Sequence, residues 1–223
     1  MDKRKSFSVI TLGCFRNTYD SGLIAYDISR RGYYFLPDFY SANPKKRRIK
    51  NCDTILVNTC GFIDKAKEES LEAIKEVINL KRKMKIKKII VCGCLVERYR
   101  NDLEKFFPEV DQWLGVERFT DTFRKRLHIF PSRFSDFLKI CEGCLNKCSF
   151  CAIPKIKGPI KSRTQEEILK EVRHLDMEGV KELNIIGQDI TSWGKDFKDK
   201  RNLAGLLRAI LEVTKNIRWI RLI

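Results

Sequence analysis

Residues 136–163 run DFLKICEGCLNKCSFCAIPKIKGPIKSR, and the stretch CEGCLNKCSFC from Cys141 to Cys151 decides how the rest of the chain is taken. Three readings of its spacing compete. Cys141, Cys144, Cys148 and Cys151 together suit a tetrahedral zinc, but the knuckles of a zinc ribbon usually stand about 12–20 residues apart. No histidine pair lies nearby, since the chain has only His128 and His174. A ferredoxin run is spaced C-x2-C-x2-C-x3-C-P, and a closed cage of cysteines leaves no iron open to a substrate. In the third reading only Cys144, Cys148 and Cys151 take part. Three thiolates then hold three irons of a [4Fe–4S] cube, and the fourth iron is left for a small molecule. The residues before the triad predict a strand (136–140) and those after it a helix (164–180), which puts the triad on a loop at the C-terminal end of a strand. In parallel barrels that end carries the chemistry. Phe150, inside the triad, is expected to shield it from water.

The same alternation of strand and helix extends in both directions. Upstream, FSVITLGC (7–14), DTILVNTCG (53–61) and KKIIVCGC (87–94) predict buried strands; residues 17–33 predict a helix, a second helix follows 53–61, and residues 101–116 hold a short helix and then the edge of the unit. Leu71, Ile74, Val77 and Ile78 mark one face of the second helix, with Asp64 as its expected N-cap. Downstream, KELNIIG (181–187) is a strand, 202–215 a helix and IRWIRLI (217–223) a strand, with Gly179 placed to end the preceding helix. Strands alternating with helices argue for parallel sheets. The fold class expected is α/β: an open parallel-sheet domain over 5–116, a basic and aromatic linker over 117–135, and the first part of a (β/α) barrel over 136–223. Ending on an apolar strand suggests an incomplete barrel, and so a chain truncated at its C-terminus.

Composition narrows the class. The chain has 223 residues, 43 % hydrophobic and 33 % charged, which suits a globular protein. No apolar run approaches the length of a membrane span, and the first residues do not resemble a signal peptide. Nine cysteines without a secretion signal point to the cytoplasm and to metal chemistry rather than disulfides. The net charge of +16, concentrated in runs at 44–50, 81–88, 124–126 and 155–163, is expected to attract polyanions, RNA or a ribosome among them.

Three further cysteines, Cys14, Cys60 and Cys94, each close a predicted strand. Neighbouring strand ends of a parallel sheet meet at one crevice, so these three thiols are expected to converge as a second site. Taken singly, each is better explained as a small buried side chain.

With these residues in view, the chain resembles the methylthiotransferases among the radical S-adenosylmethionine enzymes. EGCLNKCSFCAIPKIKGPIKSR (142–163) is similar to their EGCNxxCSFCxIPxxRGxxRSR, and TLGC, VNTCGFIDKAKEES and CGCLVERY resemble their three N-terminal cysteine motifs. The resemblance implies two [4Fe–4S] clusters. One, on Cys14, Cys60 and Cys94, carries sulfur. The other, on Cys144, Cys148 and Cys151, binds S-adenosylmethionine and cleaves it by one electron. Cys141 falls outside both ligand sets. GQDITSWGKD (187–196) is similar to the GQDTTxYGxD of the RimO-type branch, which acts on a ribosomal-protein aspartate, rather than to the GQNVNxY of the MiaB-like branch, which acts on transfer RNA. Gly187, Gln188 and Asp189 are expected on the cofactor side.

The implied reaction inserts a methylthio group at the β-carbon of an aspartate in a small-subunit ribosomal protein. It needs an electron donor such as flavodoxin or ferredoxin, and a sulfur donor. The alternatives are a transfer-RNA adenosine methylthiotransferase, an iron–sulfur electron carrier and a zinc-dependent nucleic-acid binder. Departures from the family pattern include Arg16 for lysine, Gly22 for glutamate and Thr164 for proline, and the later barrel strands and a C-terminal β domain are missing. Poor turnover is expected of the chain by itself.

Overall fold

The computed structural model describes residues 5–37, 52–83, 85–116, 125–129, 132–199 and 201–223. The chain forms two compact units, Met1–Glu117 and Arg118–Ile223.

The first unit is a parallel sheet of five strands: β1 (Ser6–Thr11), β2 (Tyr34–Phe35), β3 (Thr54–Thr59), β4 (Lys88–Gly93) and β5 (Gln112–Trp113), in the order β2-β1-β3-β4-β5. The helices are α1 (Phe15–Arg30), α2 (Asp64–Arg82) and α3 (Cys94–Phe106). Every residue of β3 is buried, as a central parallel strand covered on both faces demands. Ile10, Val57 and Val91 share a face with Ala73, Ile74 and Val77 of α2 and with Leu95 and Val96 of α3. Helix α1 packs against β1 and β3. Each fully buried Ile, Leu or Val there contributes about 1.5–3 kcal/mol.

Two local expectations are corrected. Asp64 is the first helical residue, not the N-cap; Ile63 holds that position without a side-chain cap. Asp64 acts instead through the helix dipole, with Lys81 and Arg82 at the opposite end. The short helix expected within 101–116 begins earlier, at Cys94, bends at Tyr99 and ends at Phe106. Strands β2 and β5 have two residues each and carry too little pattern to be predicted.

The second unit contains β6 (Ser135–Lys139), β9 (Glu182–Ile186) and β10 (Trp219–Leu222), parallel in the order β10-β9-β6. Between β6 and β9 come β7 (Cys141–Glu142), α4 (Ile153–Lys157), β8 (Lys161–Ser162) and α5 (Gln165–Met177). A 3-10 turn (Ile190–Ser192) and α6 (Leu203–Val213) follow β9. Helices α5 and α6 supply Val172, Leu175, Leu206 and Ile210 to a core shared with Leu138, Leu183 and Ile185. Thr164 caps α5 by accepting from Glu167 N at 3.3 Å, and Asn202 caps α6 by accepting from Gly205 N at 2.9 Å. Gly179 follows α5 with φ of 86°, the left-handed turn expected of it.

Most of the expected linker (117–135) lies outside the described residues, as do the basic run at 44–50 and Arg124. Its described part is tied to the second unit. Arg126 pairs with Asp136 at 2.8 Å and with Glu171 at 3.3 Å, and His128 Nδ1 lies 3.1 Å from Asp136. No helix among the described residues is long and apolar enough to cross a membrane.

Candidate cysteine-cluster sites

Parallel pairing of β1 with β3 and of β3 with β4 brings three strand ends to one edge. Cys14 sits at the N-cap of α1, Cys60 directly follows β3, and Cys94 opens α3. Gly13 makes the approach of the first two loops possible. Its φ is +84°, and a Cβ there would stand 2.5 Å from Cys60 Cβ and 2.8 Å from Cys60 Sγ. Gly93, with φ of +99°, lies as tightly against Asn58 and Thr59.

Asn17 joins these loops. Its Nδ2 donates to Leu12 O at 2.8 Å and to Thr59 O at 3.1 Å, and its Oδ1 lies 4.0 Å from Cys94 Sγ. Asn58 Nδ2 in turn donates to Asn17 O at 2.9 Å and to Ser21 Oγ at 2.9 Å. Asn17 was not among the residues expected to build this site. The available signal was a polar stripe, Asn17, Asp20 and Ser21, on the face α1 turns inward.

Cys60 and Cys94 are buried and Cys14 is half-buried. Burial pushes the Cys60 thiol above its ordinary value, with a smaller push from neighbouring Cys14, against the backbone N–H groups of Phe62 and Gly61 that favour the thiolate.

In the second unit the run Cys141–Cys151 divides three to one. Cys141 is fully buried in the core of the second unit, against the loop after β9; its Sγ lies 3.5 Å from Asp189 O, and a Cβ on Gly187 would meet it at 2.5 Å. Cys144 and Cys151 are half-buried and Cys148 is exposed. Asn146 N donates to Cys144 Sγ at 3.4 Å, and Cys151 N donates to Cys148 O at 3.0 Å. Phe150 does not shield the loop: it is 87 % exposed, on an outer turn where residues 145–150 all face solvent.

The loop after β9 supports this one. Asp189 accepts from Thr191 Oγ1 at 2.6 Å, Ser192 Oγ at 2.6 Å and Asn146 Nδ2 at 3.2 Å. Burial works against the charged carboxylate, but the hydrogen bonds from Ser192 and Thr191, with the nearby Lys195 charge, outweigh it and hold Asp189 below its ordinary value. Gly187 is explained by its contact with Cys141, and Asp189 by its bonds to the cysteine loop.

The basic run at 155–163 is not the exposed polyanion surface expected. Lys155 and Lys161 are exposed, but Lys157 and Arg163 are buried and paired with Glu142 and Glu171, each at 2.6 Å. In the run at 81–88, Lys81 and Lys87 pair with Asp111 and Asp53, and Arg82 with Glu109.

The donor sets suit iron–sulfur clusters. They are thiols alone, with none in a disulfide, and a backbone N–H points at the Cys144 sulfur. Among the described residues, no three His, Cys, Asp or Glu side chains stand close enough to hold one metal ion. Thiolates on a cube each bind a different iron, so they are spread wider than the ligands of a lone zinc.

Comparison with known proteins covers both units. Residues 6–115 match UPF0004, described as an uncharacterized protein family, and residues 138–222 match the radical SAM superfamily. The ribosomal protein uS12 methylthiotransferase RimO of Chloroherpeton thalassium is 39 % identical, over 99 % of this chain and 51 % of that protein. RimO of Flavobacterium johnsoniae is 41 % identical over the same shares, and RimO of Aquifex aeolicus 40 % identical over 96 % and 48 %. The chain thus spans about half the length of the curated relatives it matches. Among solved structures, the radical S-adenosylmethionine methyltransferase TsrM of Kitasatospora setae, with tryptophan and a SAM analogue bound, aligns with a TM-score of 0.56. That alignment has 12 % identity over 93 % of this chain and 51 % of that one, and it bears on the fold alone.

Proposed function

We propose, from the match of residues 6–115 to UPF0004 and of residues 138–222 to the radical SAM superfamily, that this chain serves the methylthiolation of a ribosomal protein. The substrate is an aspartate of the small-subunit protein uS12, modified at its β-carbon. The carrying observation is the division of the 141–151 run, with Cys141 turned into the core and Cys144, Cys148 and Cys151 on an open loop, in a chain 39–41 % identical to uS12 methylthiotransferases.

Cys14, Cys60 and Cys94 hold one [4Fe–4S] cluster, and Cys144, Cys148 and Cys151 hold the other, leaving an iron open for S-adenosylmethionine. When bound, these groups supply sulfur and a carbon radical able to break an unactivated C–H bond, which side-chain acid–base chemistry cannot do. The chain's own residues bind and orient. Asn17 ties the first set of loops together, Asp189 anchors the second through Asn146, and Cys60 and Cys94, both buried, would hold the first cluster from the protein side. Gly187 and Gln188 line the same strand end as Asp189. An electron donor such as flavodoxin or ferredoxin and a sulfur donor complete the reaction, and exposed lysines offer an RNA contact.

Mass spectrometry of uS12 and of transfer RNA, from cells with and without this gene, tests the reading. Loss of a methylthio group from the uS12 aspartate alone supports it. Loss from a transfer-RNA adenosine, with uS12 unchanged, replaces it with the MiaB-like activity.

A further inference from the structure

Three buried charges meet beneath the second cysteine loop. Glu142, 6 % exposed, stands between two lysines: Lys157 Nζ lies 2.6 Å from its Oε1 and Lys139 Nζ 3.3 Å from its Oε2. Lys157 is 4 % and Lys139 1 % exposed. The placement of the three along the chain gives this cluster its meaning. Lys139 ends β6, the strand that leads into the loop; Glu142 precedes Gly143 and Cys144; Lys157 ends α4, the helix that leads out after Cys151. One carboxylate therefore ties the entering arm to the leaving arm.

Other contacts close the same base. Strands β7 and β8 pair antiparallel, Cys141 opposite Ser162 and Glu142 opposite Lys161. Cys144 N donates to Gly158 O at 3.4 Å. Gly143 has φ of +71°, and a Cβ there would stand 2.1 Å from Pro159 O. Beyond this base, residues 145–150 are all exposed. The loop is thus fixed at its root and open at its tip. Burying an ion pair is costly and is repaid only where geometry is held, so it is weak evidence for stability and better evidence for specification.

We propose that Glu142 is the positioning residue of this loop: clamped between Lys139 and Lys157, it sets where Cys144 and Cys151 stand before iron arrives. The proposal rests on the reading of Cys144, Cys148 and Cys151 as ligands of the second cluster. Preorganisation of this kind lowers what ligand binding must spend on ordering the loop.

The test compares wild type, Glu142→Gln, Lys157→Arg and the doubly neutral Glu142→Gln/Lys157→Gln after anaerobic reconstitution with iron and sulfide. Iron content, thermal melting and the change in the electron paramagnetic resonance spectrum on adding S-adenosylmethionine are read on each. Glu142→Gln is expected to fall from about eight irons to about four and to lose the spectral change, with the first cluster kept. Lys157→Arg, which preserves the charge pairing, is expected to retain both.

Should Glu142→Gln fail to fold, the double variant, which removes the Lys157 charge and leaves only Lys139 without its Glu142 partner, carries the same expectation. A folded Glu142→Gln, or a folded double variant, with full iron and an unchanged spectral response overturns the proposal. A wild-type chain with no second cluster and no response overturns instead the ligand reading beneath it.

Discussion

Asn17 Nδ2 donates to Thr59 O at 3.1 Å across the edge of the first sheet, so a side chain on α1 holds the strand end that precedes Cys60. The same amide reaches Leu12 O at 2.8 Å, just before Gly13 and Cys14. Parallel strand order therefore places three cysteines distant in sequence at one sheet edge, and one buried amide ties two of the loops that carry them.

Asn17→Ala leaves two buried carbonyls without this donor, which costs about 1–3 kcal/mol. In reconstitution, iron should fall from about eight to about four per chain, with the S-adenosylmethionine response of the second cluster kept. Chemical unfolding and iron analysis check both halves.

Cys141 and Cys144 should part company on substitution. Cys141→Ala removes a core side chain 0 % exposed, so it should cost about 1 kcal/mol of stability and leave iron loading intact. Cys144→Ala should lose one cluster with little change in the melting of the apo chain. Equal iron loss in the two variants would show that all four cysteines of the run are ligands.

Gly187 and Cys141 should be coupled. A Cβ at 187 would stand 2.5 Å from Cys141 Sγ, so Gly187→Ala should destabilise the second unit, and Cys141→Ala in the same chain should recover part of the loss. Additive effects in a double-mutant cycle would contradict the packing account of this glycine.

His128 supplies a pH dependence. Its hydrogen bond to Asp136 raises its affinity for a proton above the ordinary value of 6.5, against the opposing effect of partial burial. The folded state thus binds that proton more tightly than the unfolded chain. The contribution is full below about pH 6.5 and is lost as pH rises through the raised folded value. The melting temperature of His128→Ala should lie further below wild type near pH 5.5 than near pH 9, and a constant gap would contradict the pairing.

Much of this organisation was legible in the sequence, for physical reasons. Strands β3 and β4 are short apolar runs, and α2 repeats Leu71, Ile74, Val77 and Ile78 at helical spacing, so burial announces them. The paired strands β7 and β8 hold two residues each and are set by a contact across the whole cysteine loop, which no local pattern encodes. Lys157 and Arg163 misled for a related reason. A run of basic residues usually signals a solvated face, and only tertiary packing shows that Glu142 and Glu171 wait inside for two of them. Asn17 escaped because a buried amide between carbonyls leaves only a polar stripe on a helix.

The most direct test of the central claim is Mössbauer spectroscopy with iron and sulfide analysis of the anaerobically reconstituted chain, before and after adding S-adenosylmethionine. The account predicts about eight irons in two cubes, with one iron of one cube changing its environment on addition and that response lost in Cys144→Ala. A single cube with every cysteine intact, zinc in place of iron, or a second cube whose four irons are all thiolate-bound and silent to S-adenosylmethionine would contradict it.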